Sequence, residues 1–182
     1  PPIDRWAIQN DLFSLCVSGD EKVRNYLDFS DAYFDEDSYL ASVNVAHNLA
    51  SLYFRAFDEP FAEEIRSYAI NYFRKILSKL GWEPSKSDKH TDALLRTFAI
   101  AVLGKMNDDD VTEVALAKYK KFLKQPGSLS PDLTETICSI AAWNGNSKTF
   151  DELKKLYTNA KTMEQKLRFL GAMCGFQDKK LL

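Results

Sequence analysis

Imidazole is the side chain best suited to proton transfer or metal ligation near neutral pH, and this chain holds two, His47 and His90. Metal-assisted hydrolysis on a helix needs two histidines one turn apart, with a glutamate between them to activate water. The stretch Val45-Ala46-His47-Asn48-Leu49-Ala50 lacks both the second histidine and the acid. His47 therefore reads as a core or interface histidine. His90, in a polar loop just before a helix, reads as a solvated side chain. Cys16, Cys138 and Cys174 lie far apart in the chain. An odd count without framework spacing predicts free thiols acting as small buried hydrophobes in a reducing compartment, the cytoplasm. Asp35-Glu36-Asp37 and Asp108-Asp109-Asp110 lack the alternating acids, sixth-position glycine and twelfth-position glutamate of a calcium loop, so they read as acidic helix starts. Lys118, Lys120, Lys121 and Lys124 have no aromatic platform beside them, which points to a solvated face and not to a nucleic-acid stripe. A phosphate loop, a serine nucleophile elbow and a dinucleotide fingerprint are likewise missing from the sequence. No catalytic, cofactor-binding or metal-ligating residue can be named in this segment.

The elements that would position any site are helices. The first is expected to start at Asp4 as cap and to close at Gly19, with Ile8, Leu12, Leu15 and Cys16 as its apolar stripe. Asp20 can cap a short helix through Leu27 and Phe29. A long helix after the acidic loop carries Leu40, Val43, His47, Ala50, Phe54 and Phe57 at steps of three and four. Beyond Pro60, two adjacent rows mark a helix covered on a wide face: Phe61, Ile65, Tyr68, Tyr72, Ile76 and Ala69, Phe73, Leu77, Leu80. Gly81 ends it, and the longest loop follows, Trp82 to His90. Leu94, Leu95, Phe98, Ala101 and Val102 make the next helix, stopping near Gly104. Asp110 with Glu113 has the spacing of a capping box. Pro126-Gly127 breaks that helix, and Ser130-Pro131 opens another with Leu133, Ile137, Ile140 and Ala141. Further capping boxes start at Thr149 and Thr162, the latter leading into Leu167, Leu170 and Cys174. No stretch alternates long enough to predict a sheet. The expected fold is all-α: antiparallel αα-hairpins with short connections, stacked into an irregular superhelical layer of the HEAT or armadillo type.

At 182 residues the chain suits a single helical domain, residues 1–182, and a core of that size needs no metal or disulfide to fold. Its 24 basic and 26 acidic residues leave a net charge of −2, which gives no overall field to draw in nucleic acid or an anionic membrane. No apolar run approaches the roughly 18 residues that would cross a bilayer. Pro1-Pro2 leads straight into a helix, and Gln177 to Leu182 reads as the first turn of another, so the chain is expected to be a truncated fragment of a larger C-terminal domain.

Several short stretches, in order, carry a resemblance. They are Asp4-Arg5 followed after five residues by Asp11-Leu12-Phe13 and closed by Gly19, then Leu80-Gly81-Trp82, then Leu94-Leu95-Arg96, then Pro131-Asp132-Leu133. Gly145 with Phe150, Leu153 and Tyr157 follows, and Asp178 with Leu181-Leu182 ends the set. The set resembles the C-terminal helical domain of zinc aminopeptidases related to aminopeptidase N, a family that includes puromycin-sensitive and tricorn-interacting enzymes. Phe150 stands where the family usually has Trp, and Leu12 where it often has Ala; both swaps keep the position apolar. The resemblance implies a zinc-dependent aminopeptidase whose metal, held by two His and one Glu with a second Glu activating water, lies upstream of this segment. It implies a curved wall over the substrate chamber, with the upstream catalytic domain and peptide substrates as partners. It also places the first helix at the junction with that domain, with Asp4, Arg5 and Asp11 as polar anchors. A helical-repeat scaffold binding other proteins is the alternative reading.

Overall fold

The computed structural model describes residues 1–181. The fold is all-α, and among the described residues there is no strand. The helices are α1 (Pro2–Ser18), α2 (Val23–Ser30), α3 (Tyr39–Arg55), α4 (Ala62–Leu80), α5 (His90–Lys105), α6 (Asp109–Lys124), α7 (Pro131–Trp143), α8 (Ser147–Asn159) and α9 (Met163–Met173), with 3-10 turns at Asp31–Tyr33 and Pro126–Ser128. They form two compact units, Pro1–Ala99 and Ile100–Leu182, and the boundary falls within α5.

In the first unit α3 packs against both α1 and α4. The helix α4 buries most of the two rows its sequence shows: Ile65, Ala69, Tyr72, Phe73, Ile76 and Leu77 are buried and Tyr68 and Leu80 half-buried, while Phe61, at the N-cap, is exposed. Phe34 meets Tyr68 and Tyr72 edge-on at 5.6 and 5.3 Å, and Phe73 meets Phe98 at 5.8 Å. Such aromatic pairs supply large apolar area and fix the approach of their helices. Gly81 ends α4 with φ 65, a left-handed value that glycine adopts without strain.

In the second unit α6 packs on α7, and α9 packs on both α7 and α8. The predicted row Leu133, Ile137, Ile140 and Ala141 on α7 is buried. Gly104 lies so close to Ile140 that a Cβ there would meet its Cγ1 and its Cδ1, the latter at 2.6 Å. Asn107 takes φ 54 between α5 and α6, a conformation asparagine tolerates, and its Oδ1 accepts the Trp143 indole N–H at 3.1 Å. Thr162 caps α9 as expected, accepting from the Gln165 N–H at 3.2 Å, while Gln165 Oε1 accepts from the Lys161 N–H at 3.0 Å.

Four caps differ from expectation. Asp20 does not cap α2, which starts two residues later with Lys22 at its N-cap and no side-chain cap bond. Pro1 stands at the N-cap of α1 and Asp4 lies in its first turn, because proline suits a first helical position and starts the helix earlier. Asp108, not Asp110, caps α6, accepting from the Val111 N–H at 3.0 Å. Asn146, not Thr149, caps α8, its side chain accepting from the Lys148 N–H at 3.0 Å. In the last three cases a capping-competent side chain two or three residues upstream, or a proline, takes the place. At the C-terminal end, Leu181 N–H closes one turn on the Asp178 carbonyl at 2.9 Å; Leu182, the last residue of the expected helix start, lies outside the described residues.

Three predicted apolar stripes turn partly outward. On α1, Ile8 is 56% and Leu15 46% exposed. On α3, Leu40, His47 and Phe54 are exposed, as is Phe57 two residues beyond its end, while Ala50 of the same predicted row is buried along with Ala41, Val45, Leu49, Leu52 and Tyr53. On α9, Leu167, Leu170 and Cys174 are exposed, while Phe169 and Ala172 are buried. These helices carry apolar residues on more than one face, and the tighter face wins the core.

Candidate functional site

The residues singled out for a junction, Asp4, Arg5 and Asp11, all lie on α1. Arg5 is turned toward the acidic loop, where Nε donates to Glu36 Oε2 at 2.6 Å and a terminal nitrogen donates to Oε1 at 2.7 Å. Glu36 is nearly enclosed, its side chain 4% exposed, and it also accepts from the backbone N–H of Ser38 at 2.8 Å. The Arg5 bonds, opposed by desolvation and helped by the Ser38 N–H, hold its carboxyl at about 2. This two-pronged pairing is the strong geometry for guanidinium and carboxylate. The Tyr33 hydroxyl donates to the Arg5 carbonyl at 2.7 Å, tying the same loop to α1 from a second side. Asp4 and Asp11 do not join this arrangement; both are exposed.

The buried side of α1 is polar at its centre. Gln9 is 0% exposed. Its Oε1 accepts from the Tyr26 hydroxyl at 3.0 Å and from Asn48 Nδ2 at 3.1 Å, and its amide donates to the Trp6 carbonyl at 3.2 Å and to Asn44 Oδ1. Asn48 Nδ2 also donates to the Tyr26 hydroxyl at 3.1 Å. Burial drives the Tyr26 hydroxyl up to about 12, so it is a neutral donor throughout the physiological range. Sequence periodicity missed Gln9 because a glutamine one place off an apolar row reads as solvated. The signal that could have found it is the pair Asn44 and Asn48, one turn apart on α3, which must also be satisfied if α3 is central.

Arg96 is a second residue that periodicity missed. It is 1% exposed. Its Nε donates to the Gly81 carbonyl at 3.0 Å and the Leu80 carbonyl at 3.3 Å, and a terminal nitrogen donates to Leu80 at 2.9 Å and to Asp88. Leu80-Gly81-Trp82 and Leu94-Leu95-Arg96, separate in sequence, are thus one piece of structure. A cation seated on the last carbonyls of α4 also meets the negative end of its dipole.

The candidate chemical residues are dispersed. His47 stacks on Phe98 with ring centroids 4.2 Å apart, and His90 opens α5. Cys138 is buried, which pushes its thiol up to about 12, whereas Cys16 is half-buried and Cys174 exposed; all three are free. The exposed Cys174 corrects the reading of all three as buried hydrophobes: it stands at the C-cap of α9, beyond the face that packs on α7. Asp108 is a buried helix cap. Lys120, Lys121 and Lys124 lie exposed on α6. A cavity of about 370 Å³ opens beside the Arg5–Glu36 pair, bounded in part by Tyr33, Phe34, Tyr72 and Leu95. Its carboxylate Glu36 is taken by Arg5, and its Lys79 lies 3.5 Å from Asp35. Among the described residues no three His, Cys, Asp or Glu side chains gather as a metal-ion site. A zinc ion of the peptidase type does not fit the described residues. No helix among the described residues is long and apolar enough to cross a membrane.

Comparison with known proteins gives a consistent picture. The chain is 26% identical to Aminopeptidase M1-D of Oryza sativa subsp. japonica, over 99% of this chain and 21% of that protein. It is 24% identical to Aminopeptidase M1 of Arabidopsis thaliana, over 99% of this chain and 21% of that protein. It is 26% identical to Aminopeptidase 2 of Candida albicans, over 98% and 20%. The chain therefore spans about a fifth of the length of the curated relatives it matches. The match to a family model is continuous from residue 1 to residue 182, and by it this chain belongs to the ERAP1-like C-terminal domain family.

Proposed function

We propose that this chain is helical wall material of a zinc-dependent aminopeptidase: it encloses the substrate chamber and positions peptides, while bond cleavage belongs to residues outside these 182. The observation that carries the reading is the family match over residues 1–182, together with relatives named aminopeptidases that are about five times longer. The dispersal of His47, His90 and the acidic side chains agrees with a part that excludes water and orients a substrate, effects that lower barriers without a reacting group. Packing of consecutive helices within each unit, α3 with α4 in the first and α6 with α7 and α8 with α9 in the second, supports αα-hairpins as the building block. The three free thiols support a reducing, cytoplasmic setting. The partners are then the upstream catalytic domain of the same polypeptide and peptide substrates.

The test uses two proteins, the 182-residue chain and the longest polypeptide its gene encodes, each with an aminoacyl-coumarin reporter. The expected result is no turnover by the short chain with added zinc. The longer protein should show turnover that a chelator abolishes and zinc restores. Hydrolysis by the short chain, or a gene lacking the His-Glu-x-x-His motif upstream, overturns the proposal.

A further inference from the structure

A groove of about 540 Å³ runs between α2 and the first two turns of α4, a size that suits a small molecule. Its walls are hydrocarbon and aromatic: Val23 and Leu27 on one side, Ile65 on the other, with the rings of Phe61 and Tyr68 beside them. Phe61 is 49% and Ile65 3% exposed, so Phe61 stands at the mouth and Ile65 at the floor. Four charged side chains border it, Arg24, Asp28, Asp31 and Glu64. Arg24 is bound to Asp28 at 2.8 Å. The other two carboxylates have no cation. Glu64 makes no side-chain hydrogen bond or ion pair among the described residues. Asp31 has only the Tyr68 hydroxyl, 2.8 Å from its Oδ1, and that hydroxyl also lies 2.7 Å from the Leu27 carbonyl. One phenolic proton cannot serve both acceptors fully, so the carboxylate is short of a donor. The last turn of α2 has no base, and Asp31 stands at its C-cap, a place that favours a cation.

From these walls and unpaired acids we infer that the groove between α2 and α4 binds a small organic ammonium ion with an apolar body. The body seats against Leu27, Ile65 and Phe61, and the ammonium N–H groups donate to Asp31 and Glu64. The rings of Phe61 and Tyr68 add attraction for a cation. A metal ion fits less well: hard cations take six or more oxygen ligands, and no three His, Cys, Asp or Glu side chains gather for one among the described residues. A neutral body would leave both carboxylates without the partner they lack, and an anion would be repelled by them. The site lies outside the proposed peptidase reaction and does not rest on it.

The probe is 2-phenylethylammonium, compared with the neutral 2-phenylethanol and the anion 3-phenylpropionate. Binding to the 182-residue chain is measured by isothermal titration calorimetry and located by amide NMR shifts. The ammonium is expected to bind about fivefold or more tighter than the alcohol, the scale of one exposed cation–π contact with one surface ion pair. Its shifts should fall in residues 23–31 and 61–68, and its advantage should shrink as salt is raised. Glu64→Gln with Asp31→Asn should remove the advantage and leave alcohol binding unchanged, because asparagine still accepts from Tyr68. Phe61→Ala should weaken both probes. Equal binding of ammonium and alcohol overturns the inference. So do tighter binding of the anion, shifts confined to other residues, and an advantage that survives the double variant. In the longest polypeptide the gene encodes, hydrogen exchange of residues 23–31 and 61–68 should slow when the ammonium is added at saturation. Unchanged exchange there also overturns the site.

Discussion

Arg96→Met keeps the aliphatic stem of the side chain and deletes its guanidinium. What is lost is visible: three bonds to the carbonyls of Leu80 and Gly81, and the pairing with Asp88, made by a side chain that is 1% exposed. Hydrogen bonds to a charged donor contribute about 1.5–3 kcal/mol each when buried, and a cation at a partly buried helix C-terminus contributes up to about 2 kcal/mol. These are overlapping descriptions of one interaction and are not summed. Gly81 is exposed, so its freed carbonyl recovers some water, and the net loss comes to about 3 kcal/mol by the same scale. In a chain of this length about 2–4 °C follows each kcal/mol, giving a fall in midpoint of about 6–12 °C. The assay is thermal unfolding followed by far-UV circular dichroism. Hydrogen exchange of residues 77–81 should show that the last turn of α4 opens first. Arg96→Lys retains the charge but not the planar fork, and should recover only part of the loss. A midpoint for Arg96→Met within about 2 °C of the parent refutes the reasoning, because the carbonyls would then be equally well served by water.

Two further outcomes are expected. The Glu36 carboxyl titrates at about 2 against an ordinary value of 4.5; a folded value below the unfolded one gives stability that is full above about 4.5 and lost as pH falls toward 2. Acid unfolding of the parent should therefore steepen in that window and that of Glu36→Gln should not, and parallel curves would contradict the assignment. Gly104→Ala drives a methyl into Ile140, a clash costing about 1–3 kcal/mol against a helix-propensity gain of up to about 1 kcal/mol. Denaturant unfolding should show a net loss that is smaller in the Gly104→Ala, Ile140→Val double variant than the two singles sum to, and strict additivity would argue against the contact.

Much of the fold was legible from residue spacing, and the reasons differ by element. The rows of α4 and α7 are wide and apolar, so only one packing satisfies them. The glycine stop at Gly81 and the cap at Thr162 are local chemistry that needs no tertiary information. Periodicity failed on α1, α3 and α9 because it ranks faces by apolarity alone. On α1 a glutamine with four polar contacts goes inside while Ile8 and Leu15 stay out. On α3 small residues, Ala41 and Ala46, let neighbours approach closely and displace the larger Leu40 and Phe54 to the surface. The candidate site was legible only in part. Asp4, Arg5 and Asp11 could be picked out as polar residues of the first helix, but Arg5 has its partner in a loop 31 residues away, which no local pattern encodes.

The polar cluster behind α1 has a consequence for how that helix can move and change. An all-aliphatic seam lets a helix creep along its axis by a turn, since one methyl group replaces another at little cost. Gln9 forbids that: a shift by a turn would bring Arg5 or Phe13 opposite Tyr26, Asn44 and Asn48, and strand several donors and acceptors at once. The helix is keyed in a single axial position. Whatever its exposed side touches therefore meets a template of fixed phase, and substitutions there can alter the strength of that contact without altering where it falls.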